Sequence, residues 1–254
     1  MAAAGRYPVR VDTTADRSLP FSALFNFRDV GGYPGLDGRR VRWRRLYRSD
    51  SLHRVDEDRD AFAALGIRTV IDLRRPTEVD RDGRVPAYDG LAYRHIHPEH
   101  AQWEDTPYDE GSSLAHYLAD RYLDMAETGY AGIARAVGII ADPERAPVVV
   151  HCVAGKDRTG IVCGLTLSLL GVDDIDIADD YARSTAASER FSAWLRDNLP
   201  DSVPPPQPFL ASPAEAMTLF LAGLRRRHGS VESYLLDAGL TRQQLTDLRT
   251  HLLD

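Results

Sequence analysis

Apolar residues fall along this chain in two rhythms. Two short unbroken runs, at 67–73 and 148–150, hold Ile67, Val70, Ile71 and Leu73, then Val148, Val149 and Val150. Runs this short and this β-branched read as strands covered on both faces. Residues 91–96 also have strand character, as do 41–47 despite their arginines. Between these runs the spacing changes to threes and fours. Leu114, Tyr117, Leu118, Tyr122 and Met125 form one stripe of a helix at 113–127, and a second helix follows Gly129 at 130–140. Residues 56–65 read as a short helix ended by Gly66, 78–89 as a charged loop, 98–111 as an irregular acidic loop and 161–170 as a helix. No strand is expected in the last third. It holds a helix at 175–188, an amphipathic turn with Phe191, Trp194 and Leu195, and a proline-rich break at 201–208. A helix at 214–227 then starts with a cap, proline and glutamate at Ser212, Pro213 and Glu215, and Thr241 with Gln244 makes a capping box before the last helix. Residues 1–20 are polar and read as loosely ordered, with one short strand at 7–11. The alternation predicts an α/β fold, a central mainly parallel sheet flanked by helices. Residues 1–254 form a single domain in this reading. The helical segment 176–228 is either a lid over a pocket or an extension of the core.

The remaining bounds come from composition. The 254 residues are 43% hydrophobic and 27% charged, ordinary for a globular domain. The formal net charge of -7 argues against a nucleic-acid binder, yet allows a local positive pocket. Two cysteines, Cys152 and Cys163, make no disulfide framework and suit a reducing compartment. No basic-then-apolar leader opens the chain and no run of eighteen apolar residues occurs, so no integral membrane segment is expected. These readings place the protein in the cytoplasm, with export by a route lacking a signal peptide left open.

The chemistry concentrates between His151 and Gly160. An apolar strand leads into His151, Cys152, Val153, Ala154, Gly155, Lys156, Asp157, Arg158, Thr159 and Gly160, and a helix follows. A cysteine with an arginine six positions on, followed by threonine, is the signature of a cysteine-based phosphatase. The physical reason lies in the geometry. A loop wrapping into a helix start turns its backbone N–H groups inward around an anion, backed by the helix dipole. Gly155 permits a close approach, Arg158 offers a planar fork for two phosphate oxygens, and Lys156 adds a point charge. Phosphate or another oxyanion is therefore expected on Val153, Ala154, Gly155, Lys156, Asp157, Arg158 and Thr159. Such surroundings lower a thiol pKa to roughly 3.5–7.5 and favour the Cys152 thiolate as nucleophile. A two-unit drop is worth about 2.7 kcal/mol. Thr159 can stabilise that sulfur when it leaves. A Walker-type loop is excluded, because Asp157 stands where Ser or Thr is needed and the first glycine is missing.

Supporting candidates lie elsewhere. Asp72 and Arg74 stand where the first apolar run ends, and ligands of open α/β sheets bind beyond such ends. Asn26, Arg28 and Asp29, ahead of the Gly31–Gly32 turn, are placed to brace the active loop. Asp157, Asp72 and Asp105 compete, in that order, to donate a proton to the leaving group. Cys163 is a candidate partner for an oxidised Cys152, although packing explains it as well.

The sequence resembles the bacterial family of tyrosine phosphatases typified by the mycobacterial protein tyrosine phosphatase B. The matching stretches are 26–32, 46–49, 71–74, 151–160 and 230–239, and they span nearly the whole chain. The resemblance implies a cysteine-phosphatase fold without metal or cofactor, Cys152 as nucleophile, Arg158 as phosphate clamp and Asp157 in an acid or orienting role. Lys156 resembles the lysine of lipid-phosphatase loops. A two-helix lid after the active loop is also implied. The expected substrates are phosphotyrosine proteins, with tolerance extending to other phosphorylated residues; phosphoinositides are the second class. A phosphate-binding module without turnover and a thiosulfate sulfurtransferase are the readings from other classes.

Overall fold

Five strands form one sheet in the computed structural model, which describes residues 17–101, 103, 106–198 and 209–254. They are β1 (Arg28–Asp29), β2 (Leu46–Ser49), β3 (Thr69–Asp72), β4 (Ala92–His95) and β5 (Val148–His151), in the order β1-β2-β5-β3-β4. Only β1 runs antiparallel to its neighbour. In the central ladder His151 stands opposite Ser49 on one side and Asp72 on the other. Three strands therefore end level, and the loops leaving them share one edge.

Each central strand buries both faces, as the unbroken apolar runs require. Leu46, Ile71, Val148 and Val150 join a large core with the long helices. Tyr47, Val70 and Val149 join a smaller cluster with Phe27, Leu52, Val55 and Phe62. The large core contains α3 (Leu114–Thr128), α4 (Tyr130–Ile140) and α5 (Asp157–Leu169). Ile161, Val162, Leu165, Leu167 and Leu169 of α5 are all buried, so this helix is covered nearly all round and shows no polar stripe.

Several elements differ from the sequence reading. The strand expected at 41–47 begins at Leu46, because Arg44 takes a left-handed backbone (φ 60°) and breaks the run. Val41 instead forms an isolated bridge with Leu253. The helix expected at 56–65 divides into a 3-10 segment, Leu52–Asp58, and α1 (Arg59–Ala63). Part of the expected charged loop at 78–89 is α2 (Pro76–Asp82). Pro76 occupies its first turn, and the Glu78 carboxylate accepts from the Arg75 amide at 2.6 Å. The helix expected at 175–188 breaks after Ala182 into α6 (Asp174–Ala182) and α7 (Ser184–Asn198), so Phe191 and Trp194 lie on one continuous helix. After α9 (Val231–Asp237), the capping box before α10 (Arg242–Leu252) is formed as expected, with Thr241 and Gln244 exchanging bonds of 2.9 and 3.1 Å.

Within 176–228, α8 (Ala214–His228) packs against α3 and α6 and buries Met217, Phe220, Leu221 and Leu224. α7 flanks the cavity described below, and the proline-rich break at 201–208 lies outside the described residues, as does the short strand expected at 7–11. Arg17, inside the segment expected to be loose, is fixed: it is 2% exposed, donates to the Gly31 carbonyl and lies 3.7 Å from the centre of the Tyr33 ring. No described helix is long and apolar enough to cross a membrane.

Candidate active site

The loop 152–156 leaves β5 at the level edge of the sheet and enters α5 at Asp157. Cys152 begins it, 2% exposed. Gly155 has φ of 65°, and a Cβ there would stand 2.2 Å from the Ser49 carbonyl oxygen, so only glycine fits against β2. Among the described residues, the amides of Val153, Ala154, Gly155 and Lys156 donate to no protein acceptor. Unpartnered amides in a loop feeding a helix N-terminus are an anion cradle.

Arg158 sits in the first turn of α5. Its Nη1 and Nη2 donate to the Glu78 carboxylate at 2.6 and 3.0 Å. This bidentate pair occupies one edge of the guanidinium and leaves the edge that includes Nε for a phosphate. Burial opposes both charges. Arg158 holds the Glu78 carboxyl below its ordinary pKa, and the nearby Cys152 and Glu78 hold the guanidinium above its own. Thr159, the next residue, has a buried hydroxyl with no partner among the described residues.

Two arginines hold the loop from behind. Arg48 donates to the Gly155 carbonyl at 2.7 Å and to Asp180 at 2.6 Å. Arg28 donates to Asp180 at 3.0 Å and to the Asn26 side-chain oxygen. The Asn26 amide then donates to the Ala154 carbonyl at 2.8 Å. Asp180 on α6 thus anchors a relay ending on two carbonyls of the active loop. Burial alone would raise its pKa, yet the two guanidiniums hold it well below the carboxylate range.

The expected site residues separate into groups. Asn26 and Arg28 belong to the relay. Asp29 accepts from the Gly31 and Arg44 amides at 2.7 and 2.8 Å, so it fixes a turn and reaches the loop only through its strand. Asp72 does not face the cavity. Its carboxylate is fully buried, takes two bonds from the Arg74 guanidinium at 3.0 and 2.7 Å and one from Tyr93 at 2.9 Å, and lies 3.6 Å from His151 Nε2. Burial again opposes ionisation, but His151 and Arg74 hold its pKa below the ordinary range. An ionised carboxylate so enclosed has no proton to give and no path to a substrate. Arg74 also donates to the Gly83 carbonyl at 2.8 Å, closing α2 against β3. His151 Nδ1 lies 3.1 Å from the Cys152 carbonyl, and burial lowers its pKa.

Asp157 is different. Its side chain is 22% exposed, and Tyr122 donates to it at 2.6 Å. Tyr122 and Tyr181 are linked at 2.6 Å in turn. Lys156 donates to the carbonyls of Phe209 and Ala211 at 2.6 and 2.9 Å, and its Nζ lies 3.8 Å from the Asp157 carboxylate. Asp105 and Glu104 lie outside the described residues, while Trp103 packs on Tyr122 and Phe209. Cys163 is fully buried in α5, and burial pushes its thiol up to about 11, away from thiolate chemistry.

A cavity of about 620 Å³ opens over the loop. Val153, Ala154, Lys156 and Asp157 form its floor, Phe25, Phe191, Leu195 and Phe209 its apolar walls, and Asp50, His53, Arg54 and Arg81 its polar border. Arg54 lies over the rings of Phe25, Phe191 and Trp194 at 5.9, 5.4 and 5.3 Å. Sequence reasoning missed Glu78, Asp180 and the bracing role of Arg48. For Glu78 a signal was present, a proline followed by an acid at helix-start spacing. For Asp180 none was, since an Asp-Asp pair on a helix reads as solvated surface.

Known proteins are similar to most of this chain. A triple specificity protein phosphatase of Mycobacterium tuberculosis, PtpB, is 30% identical over 94% of this chain and 99% of its own length. A tyrosine-protein phosphatase of Nostoc commune is 30% identical over 78% of this chain and 70% of its own. A shorter match, 29% identical over 42% of this chain and 39% of the relative, is to the inositol diphosphatase DSP2 of Arabidopsis thaliana. The sequence profile of the tyrosine phosphatase family matches residues 19–254, and the chain belongs to that family.

Proposed function

We propose that the protein is a cysteine-dependent phosphatase that hydrolyses phosphate monoesters, those of tyrosine in proteins first. The observation that carries this is the cradle itself: Cys152 and Arg158 at its two ends, with four unpartnered loop amides between. Asn26 and Arg48 hold that loop through its carbonyls, which leaves its amides free to bind an anion. The Cys152 sulfur attacks phosphorus, and the P–O bond to the leaving group breaks. Arg158 and the loop amides hold the remaining phosphoryl oxygens as charge shifts onto them. Asp157, partly exposed beside the loop, gives its proton to the leaving oxygen. It then takes a proton from the water that attacks phosphocysteine, and the thiolate leaves against the Thr159 hydroxyl. Asp72 takes no part in proton transfer in this scheme. It orients His151 and Arg74 beneath the loop.

The cavity's aromatic and leucine walls suit an aryl phosphate, with the ring between Phe25, Phe191 and Phe209. Phosphorylated inositol is the second substrate class, favoured by Arg54, Arg81 and Lys156 around the same cavity. Phosphate release is to be measured from a phosphotyrosine peptide, a phosphoserine peptide and a short-chain phosphatidylinositol phosphate, for the wild type and for Cys152→Ser. Turnover led by the phosphotyrosine peptide and absent in the variant is expected. Unchanged turnover in Cys152→Ser would sink the mechanism, and a lead for the lipid would exchange the order of the two classes.

A further inference from the structure

A second, smaller cavity of about 180 Å³ lies on the other side of Asp157, lined by Arg75, His100, Trp103, Met125, Asp157 and Arg158. The mechanism uses only the last two. Arg75 stands at the N-terminus of α2, where its backbone amide serves Glu78. Its guanidinium crosses to the loop after β4, and Nη2 lies 3.0 Å from His100 Nε2 and 3.4 Å from the Ala101 carbonyl. His100 Nδ1 lies 2.8 Å from the Pro98 carbonyl, which can only accept. The ring proton is therefore on Nδ1, and Nε2 offers its lone pair to Arg75. This fixes the guanidinium while leaving its Nε and Nη1 donors without a partner among the described residues. Among the described residues no carboxylate forms an ion pair with the Arg75 guanidinium; Glu78 accepts from its backbone amide. Two guanidiniums thus border one small cavity, one of them anchored by Glu78 and the other by His100.

We infer that this cavity is a second phosphate subsite, taking a phosphate already carried by the substrate next to the one being removed. The inference rests on the phosphatase reading and names a substrate class for it: a cyclitol bisphosphate with phosphates on neighbouring ring carbons. The shared walls carry the argument. Asp157 lines both cavities, and Arg158, the phosphate clamp of the mechanism above, lines this one, so a phosphate here would sit next to the one held on the catalytic loop. Neighbouring ring carbons place them so. Two phosphorylated side chains of a peptide do not, since each phosphate ends its own long arm. Arg75 is the residue that distinguishes bisphosphate from monophosphate, and His100 positions it.

Binding to Cys152→Ser tests the subsite apart from turnover. Calorimetry would compare an inositol monophosphate with two inositol bisphosphates, one with neighbouring and one with opposite phosphates. The neighbouring isomer should bind about tenfold tighter than the opposite one, a difference of about 1.4 kcal/mol. Adding Arg75→Ala should bring the two isomers level, and Arg75→Lys should keep part of the difference. Equal binding of the isomers from the start, or a preference that survives Arg75→Ala, overturns the subsite. With Cys152 present, the ratio of kcat/KM for the neighbouring isomer over para-nitrophenyl phosphate should fall about tenfold in Arg75→Ala. An unchanged ratio overturns the proposal even where both rates drop together. Absence of turnover on every substrate would instead sink the phosphatase reading, with isomer binding still deciding the subsite. The same headgroup on a short-chain lipid, run in parallel, tells whether the ring is taken free or lipid-borne, and a preference for neighbouring phosphates in either form supports the subsite.

Discussion

Glu78 decides which way Arg158 faces. A guanidinium in a first helical turn has several rotamers, and a carboxylate bound to two of its nitrogens selects one. Glu78→Gln keeps the shape but loses the charge, so the clamp should loosen. Steady-state kinetics should show kcat/KM reduced by roughly 10–100-fold, about 1.4–2.7 kcal/mol, with the Cys152 nucleophile intact. Asp157 makes a second expectation at this scale. Asp157→Asn removes the proposed proton donor, and kcat on an alkyl phosphate should fall by roughly 10²–10⁴. The loss on an aryl phosphate should be smaller, because its leaving oxygen needs a proton less. Equal losses on both would remove Asp157 from proton transfer. The proposed nucleophile and clamp could be picked out in the sequence because both stand within one short loop at a spacing that the chemistry would require. Glu78 stands 80 positions before Arg158, and no local pattern joins them.

Sheet and helices meet behind the loop through one carboxylate. Asp180 on α6 pairs with Arg28 of β1 and Arg48 of β2, all nearly inaccessible to solvent. Removing one member of such a buried set leaves a charge that water cannot reach, at a cost of about 3–5 kcal/mol. Asp180→Ala should lower the melting temperature by many degrees, while Asp180→Asn, which keeps some hydrogen bonds, should lower it less. The same carboxylate sets an acid limit. Its pKa in the folded protein is depressed, as is that of Asp72. Each therefore contributes stability fully present above the unfolded carboxyl value of about 3.9, and lost as pH falls through the folded one. Acid melts of the wild type should steepen below about pH 4, and the slope should be shallower in Asp180→Asn. Elements with strong periodicity, α3 and α4, were legible to within a residue or two. α2 and the break between α6 and α7 were not, because both depend on side chains that bind across the fold. Glu78 is shared between the Arg75 amide and Arg158, and Ser184 at the start of α7 receives the Asn26 amide at 3.3 Å.

At the scale of the molecule, the level strand ends bring Ser49, Asp72 and His151 to one plane, and the active loop, the α2 turn and the β2 loop rise from it together. Alternating strands and helices made this topology readable. The cavity was not, since its walls come from residues as distant as Phe25, Phe191 and Phe209. The Arg28, Asp180 and Arg48 group also has a consequence in net charge. Two cations and one anion leave a surplus of one positive unit sealed behind the loop. Among the described residues no second carboxylate pairs with either arginine, and the Cys152 sulfur lies close enough to interact with Arg48. That surplus favours a negative charge on the loop, whether from a sulfur nucleophile or from a bound oxyanion. Cys152→Ser removes the first source, so inorganic phosphate should raise the melting temperature of that variant more than it raises that of the wild type. Equal shifts in a thermal melt would mean that the balance is met elsewhere. On this view the nucleophile is a counterion before it is a reagent, and the reaction begins when substrate brings a second anion to a place built for one.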